Sequence, residues 1–320
     1  MQSICETRRG DGLRVFVRLL LATFVTLGFL AIAQSIASKA LAGEQQTFAT
    51  PDAAVDALVA AVAAEDMEKL RDIFGSEYKE DLIGGDEIAF RETLKTLARA
   101  LAEATSLQDG DSDTKTLIVG AKAWPFPFPI VKETGAWRFD TAAGVEEVID
   151  RRIGRNELSA IEICRAYVDA QAEYARTDHD GDDVREFAQK ILSEEGQKDG
   201  LYWETGDDGE ISPFGPLVAD ARNYLEGHEV GDPFKGYYYK VISRQSAEAP
   251  GGRYDYIING NMIAGFALIA FPADYGNSGI MTFICNHQNK VYQTDLGEDS
   301  DLIASGIIVY NPDSTWSEVR

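Results

Sequence analysis

Histidine and cysteine are scarce in this chain, with three of each among 320 residues. No two of His179, His228 and His287 sit at helix-face spacing, and the cysteines are far apart, which argues against a structural zinc site. The sequence also lacks a phosphate-cradling loop and a dinucleotide fingerprint. Ser278, in Gly276-Asn-Ser-Gly279, does not form a nucleophile elbow. Basic residues are in short supply, at 30 Lys and Arg against 53 Asp and Glu, for a formal net charge of −23. A surface of that sign repels nucleic acid and anionic lipid headgroups, which removes both as partners. Beyond the first forty or so residues, no apolar run approaches the roughly 20 residues needed to span a bilayer.

What is present begins with a leader. Arg8, Arg9, Arg14 and Arg18 form a positive n-region, Leu19 to Ala33 is almost purely apolar, and Ala40-Leu41-Ala42 supplies the small residues of a signal-peptidase site. The expectation is a signal peptide over residues 1–42 with cleavage after Ala42 and a periplasmic or secreted product with no stable membrane insertion. Cleavage takes five basic groups (the four arginines and Lys39) and two acidic ones (Glu6 and Asp11), moving the net charge from −23 to −26.

The remaining chain reads as α+β in two parts. Residues 43–150 form a small α+β domain. Thr50 is a natural N-cap with Pro51 at the first helical position, and Val55, Leu58, Val59 and Val62 share one helix face. A second helix starts near Asp66 and stops at Gly75, and a third starts near Asp86 with Phe90, Leu94, Leu97 and Leu101 on one stripe. Thr116–Val119 is a strand. Trp124–Pro129 carries too many prolines for a regular ladder and must be an edge or connector. Ile130–Lys132 and Ala136–Phe139 flank a turn as a hairpin. Residues 151–320 read as a central helix, about Asn156 to Arg176, packed on an antiparallel sheet. Short helices are expected near Val184–Leu192 and Leu217–Leu225. Six strands are expected: Tyr237–Ser243, Arg253–Ile258, Met262–Ala270, Gly279–Cys285, Lys290–Thr294 and Ile303–Tyr310.

Four clusters are candidates for function. Asp178, Asp180 and Asp182 alternate, so an extended loop turns their carboxylates toward one ion, with Asp183 and Glu186 able to add oxygens. Ca²⁺ takes six to eight hard oxygen ligands, which suits this set, although Asp183 and Gln189 break the EF-hand pattern. The plainer reading is a solvated acidic loop. Trp203, Tyr237, Tyr238 and Tyr239 are candidates for a ligand surface for glycan or peptide, against packing under a loop. Cys164 and Cys285 remain after leader removal; in an oxidising compartment they invite a disulfide, the alternative being two buried thiols. Arg151, Arg152 and Arg155 can grip an anion or pair with Glu146, Glu147 and Asp150.

Many ordered stretches resemble the exported bacterial family known as domain of unknown function 2950. They include Trp137-Arg-Phe-Asp-Thr-Ala-Ala-Gly144, Arg151-Arg-Ile-Gly-Arg-Asn-Glu-Leu158, Asp199-Gly-Leu-Tyr-Trp203, Gly236-Tyr-Tyr-Tyr239 and Val291-Tyr-Gln-Thr-Asp-Leu-Gly297. The resemblance covers nearly all of the chain beyond the leader and implies no activity. Residues 47–75 resemble the opening helices of nuclear-transport-factor-two-like domains, and the second half resembles pilin-like head domains, both as fold analogies only. The reading is therefore a non-enzymatic binding or interaction module, Ca-stabilised, for an envelope protein or a glycan or peptide ligand. The alternatives are a carboxylate-dependent envelope hydrolase and a pilin-like assembly component.

Overall fold

The first helix starts where local chemistry demands it. Thr50 is extended, its hydroxyl accepts the Ala53 N–H at 3.1 Å, and Pro51 opens α1 (Pro51–Ala63). The structure, a computed structural model, describes residues 45–78, 87–111, 113–206, 209–215 and 233–319. The leader with its cleavage site, the Phe90 side chain and the helix expected at Leu217–Leu225 lie outside the described residues. The chain divides into two compact units, Met1–Glu147 and Val148–Arg320.

In the first unit, Asp66 caps α2 (Met67–Phe74) by accepting the Lys69 N–H, and Gly75 ends it at φ 91°. A short 3₁₀ turn, Ser76–Tyr78, follows. After α3 (Glu87–Glu103) come β1 (Thr105–Asp109), β2 (Thr114–Val119), β3 (Trp124–Pro125), β4 (Ile130–Glu133) and β5 (Ala136–Phe139). The sheet order is β1-β2-β4-β5, all antiparallel, and β3 attaches to β2 beside β4. Three prolines confine β3 to two residues. The connector still drives Phe126 and Phe128 inward, where they pack with Phe74 and Phe139 at ring separations of 4.9–6.3 Å. Val55, Leu58 and Val62 of α1 and Ile73 of α2 complete this core.

The long helix α4 (Thr141–Tyr174) begins fifteen residues before the sequence pattern suggests. Gly144 and Gly154 lie inside this helix, each tolerated for its own reason. A Cβ on Gly144 would lie 2.0 Å from Phe128 Cδ1, so any side chain there must displace the ring. Gly154 faces open space and costs only about 1 kcal/mol relative to alanine.

In the second unit, α4 carries Ala160, Ile163, Cys164 and Tyr167, all buried, on one stripe. They pack on an antiparallel sheet whose strands run in the spatial order Ser317–Glu318, Val291–Asp295, Met281–Asn286, Ala267–Pro272 and Tyr237–Ile242. Ahead of it lie β6 (Lys190–Leu192) and β7 (Gly200–Tyr202), a parallel pair. The main sheet starts with β8 (Tyr237–Ile242). Four two-residue strands follow as β9 (Arg244–Gln245), β10 (Tyr254–Asp255) and the hairpin β11 (Ile257–Ile258) with β12 (Asn261–Met262). The hairpin turn, Asn259-Gly260, has both φ angles positive, as a type I′ turn requires. Then come β13 (Ala267–Pro272), β14 (Met281–Asn286), β15 (Val291–Asp295), α5 (Ser300–Gly306) and β16 (Ser317–Glu318). Helix α5 packs on β13. Cross-strand partners share a face, so Cys285, Leu268 and Val241 look one way and Ile284, Ile269 and Lys240 the other. Lys240 Nζ donates to the Ser305 carbonyl at the end of α5, which puts α5 on the face opposite Cys285.

Several expected elements differ. The strands expected over Arg253–Ile258 and Met262–Ala270 are each broken, the first into β10 and β11 and the second into β12 and β13, which pair in different sheets. No helix forms at Val184–Leu192. Buried Gln171 holds Ala188 by both backbone groups, donating to its carbonyl and accepting its N–H, each at 2.8 Å. Phe187 N–H donates to Met262 O at 2.8 Å. These tertiary partners satisfy the backbone in an extended form and remove the need for a helix. Ile303–Tyr310 is not a strand; α5 occupies its start. Small Ser300 and Ala304 face the protein and are buried, while Leu302 and Ile303 point outward, so the β-branched pattern misleads.

Candidate functional site

The end of α4 leads into the acidic loop. Among the described residues the oxygens of Asp178, Asp180 and Asp182 lie within 4.8 Å of one another. The loop is built by its own carboxylates. Asp178 accepts the N–H groups of Gly181 (2.8 Å) and Asp183 (3.0 Å), and Asp180 accepts that of Asp182 (3.3 Å). Asp182 accepts Val184 N–H at 2.8 Å and the Asn261 side-chain amide at 2.7 Å. Two positive φ angles, Gly181 at 80° and Asp183 at 66°, make the reversal. The Gly181 amide is the main reason the Asp178 carboxyl sits below its ordinary value.

Asp183 and Glu186 do not join this group. Glu186 instead accepts Met262 N–H at 2.8 Å and so fastens the loop to β12. Its role was invisible in the sequence, since the partner lies 76 residues away.

Beside the carboxylates stands a ring stack that sequence reasoning missed. His179 lies on Tyr174 with centroids 4.1 Å apart at 22°, and its other neighbour is Trp203 at 5.6 Å. His179 Nε2 is 3.2 Å from the Tyr174 carbonyl, at the last residue of α4. The Tyr174 hydroxyl donates to Lys198 O at 2.9 Å. Burial, helped by Glu186, Asp199 and Asp180, pushes this phenol up to about 12, so it stays a donor. The only signal for the stack in the sequence was a histidine set among aspartates.

The four aromatic candidates do not share one wall. Trp203 is buried, with Lys198 Nζ 5.7 Å from its ring centroid. Tyr237 and Tyr239 point to the α4 face of the sheet and Tyr238 to the other. Tyr237 is fully buried, donating to Met281 O at 2.9 Å. A Cβ on Gly279 would meet its oxygen at 2.2 Å. Tyr238 packs on Phe271 with centroids 5.6 Å apart.

Cys164 and Cys285 are both free and fully buried, and the Cys285 thiol lies 3.8 Å from the Cys164 carbonyl. The basic stretch is drawn into structure at Arg152, which donates to Asn277 Oδ1 at 2.6 Å. Nearby, Asn156 donates to Ser278 O, and Glu157 accepts the N–H groups of Ile280 and Met281. This row of α4 side chains holds the 277–281 turn. In the first unit an open hollow of about 450 Å³ is lined by Val62, Ala63, Glu65, Lys95, Ala98 and Arg99. Among the described residues no helix is long and apolar enough to cross a membrane.

The carboxylates can hold a hard cation. Each oxygen that accepts one amide keeps a second lone-pair position, and Asp178, Asp180 and Asp182 supply three such groups.

Comparison with known proteins gives one match. A family described as "Protein of unknown function (DUF2950)" matches residues 45–319. No curated protein matches the chain, and no solved structure does. The likenesses to pilin-like heads and to nuclear-transport-factor-two-like domains therefore carry no further argument.

Proposed function

The chain belongs to the DUF2950 family of proteins of unknown function, and on that footing we propose that it is an exported, non-enzymatic binding or interaction module whose acidic loop is held by Ca²⁺. The observation that carries the cation is the approach of Asp178, Asp180 and Asp182 to within 4.8 Å on an exposed loop. Three carboxylates at that spacing repel one another, and a hard dication reverses the sign of each interaction. Export is supported by the basic start, the Leu19–Ala33 apolar stretch and the Ala40-Leu41-Ala42 site. The partner class is an envelope protein or a glycan or peptide, in keeping with an acidic surface that turns away polyanions.

Calcium titration tests the metal. Calorimetric heat and a melting temperature that rises by several degrees in millimolar Ca²⁺ are expected, with Asp180→Asn abolishing both. No heat and an unmoved melting temperature reject calcium. Export is tested separately by intact mass after expression with the native leader: the product begins at Gly43, and a full-length product overturns the assignment.

A further inference from the structure

We infer that Cys164 and Cys285 become a disulfide that fastens α4 to β14. The inference rests on the export reading, because only an oxidising compartment makes and keeps such a bond.

These are the only two cysteines beyond the proposed leader, and they are 121 residues apart. The fold nevertheless brings them together. Cys164 lies on the buried stripe of α4, between Ala160 and Tyr167, and faces the sheet. Cys285 lies on β14, on the sheet face it shares with Leu268. Its thiol reaches the helix backbone at the Cys164 carbonyl, 3.8 Å away. Burial pushes the Cys285 thiol well up, and the neighbouring Cys164 thiol adds to the rise.

That environment fixes when the bond forms. Exchange needs a thiolate and access, and the folded core denies both, since neither cysteine is exposed. Oxidation therefore happens while the core is still open. The two thiols give up two electrons and two protons to the disulfide of a thiol–disulfide oxidoreductase. One S–S bond forms in this chain as the oxidant's S–S bond breaks to a dithiol. Once the core closes, the bond is shielded from reductant. A cross-link that closes so long a loop restricts the unfolded chain strongly.

The test uses the full chain expressed with its own leader and recovered from an oxidising periplasm. The protein is denatured, alkylated with N-ethylmaleimide and digested. Without reductant, the expected result is a linked Cys164–Cys285 peptide and no adduct on either residue; with reductant, two adducts. In the native state, reductant alone should leave the linkage intact for hours. A second arm reduces the same protein in denaturant and refolds it in a glutathione redox buffer. The linked peptide should return, and the melting temperature should exceed that of protein refolded under reductant by several degrees. Free or glutathionylated cysteines after oxidative refolding overturn the disulfide, whether or not the leader was removed. An untrimmed chain that still links on refolding overturns export and leaves the disulfide standing.

Discussion

Among the described residues, the first unit closes its core on rings, Phe74, Phe126, Phe128 and Phe139, with Thr141 as its one buried polar side chain. The second buries Gln171, Ser212, Gln245, Thr282, Asn286 and Ser300, together with the fully buried tyrosines 167, 237, 256 and 310. The first unit's strands are linked by short connections, and dispersion with burial suffices to hold them. The second must seat long irregular segments, whose backbone groups need partners in the absence of a ladder. Gln171 supplies them for Ala188. Gln245 does the same by donating to Pro250 O and Gly252 O while accepting the Tyr256 hydroxyl. Substitutions should therefore cost lost volume in the first unit and lost partners in the second.

The largest effect tests the dry side. Phe139→Ala removes a fully buried ring that touches Phe74 and Phe126, and should destabilise the first unit by about 3–5 kcal/mol. Urea unfolding with amide exchange read peptide by peptide locates the loss. Equal loss of protection in second-unit peptides would break the contrast. Next comes Gln171→Leu, which keeps volume but strands the Ala188 N–H and C=O. Its expected cost is about 3 kcal/mol, at about 1–3 kcal/mol for each buried group left unpaired. A cost below about 1 kcal/mol would show that the carboxamide is packing and not a partner.

Gly144→Ala is smaller and decides between two opposing terms. Alanine gains about 1 kcal/mol over glycine in a helix interior. The added methyl meets Phe128, which is wedged between Phe74 at 4.9 Å and Phe126 at 5.3 Å, and overpacking costs about 1–3 kcal/mol. The net should be a loss of about 1 kcal/mol by thermal unfolding. A stabilised variant would mean that the ring cluster yields.

How much of this was legible follows the range of the forces. Thr50-Pro51, Asp66 and Gly75 were readable because caps act within four residues. The tyrosine run was readable as a strand with opposed faces because alternation is local. The start of α4 was not, since what favours glycine at 144 is Phe128, sixteen residues earlier on a proline-rich connector. The 184–192 segment was misread as a helix because Gln171 and Met262 override its propensity from a distance. In the candidate site, the convergence of Asp178, Asp180 and Asp182 was visible in their alternation. The departure of Glu186 to Met262, and His179 settling between Tyr174 and Trp203, depended on tertiary contacts that carry no periodic signal.

The smallest effect concerns pH, and it separates the units by composition alone, because all three histidines lie in the second. His287 stands edge-on to Tyr256 at 5.7 Å and Phe266 at 6.1 Å, and a Cβ on Gly265 would come within 2.7 Å of its Nδ1. Burial lowers its pKa from the ordinary 6.5, against a weaker opposing pull from the Phe266 carbonyl. Between the lowered folded value and 6.5 the unfolded chain binds more protons than the folded one, so stability rises with pH in that window. The contribution is complete above 6.5 and is lost as pH falls through the folded value. The carboxylates held low, Asp66 and Glu133 in the first unit and Asp178, Asp199 and Asp313 in the second, have ordinary values of 3.8–4.5. Their losses therefore come at more acid pH. Between pH 7 and 5, amide protection should fall in second-unit peptides and hold in the first, and His287→Gln should flatten the slope. A parallel decline in both units, or an unchanged slope in that variant, would move the proton uptake to groups other than His287.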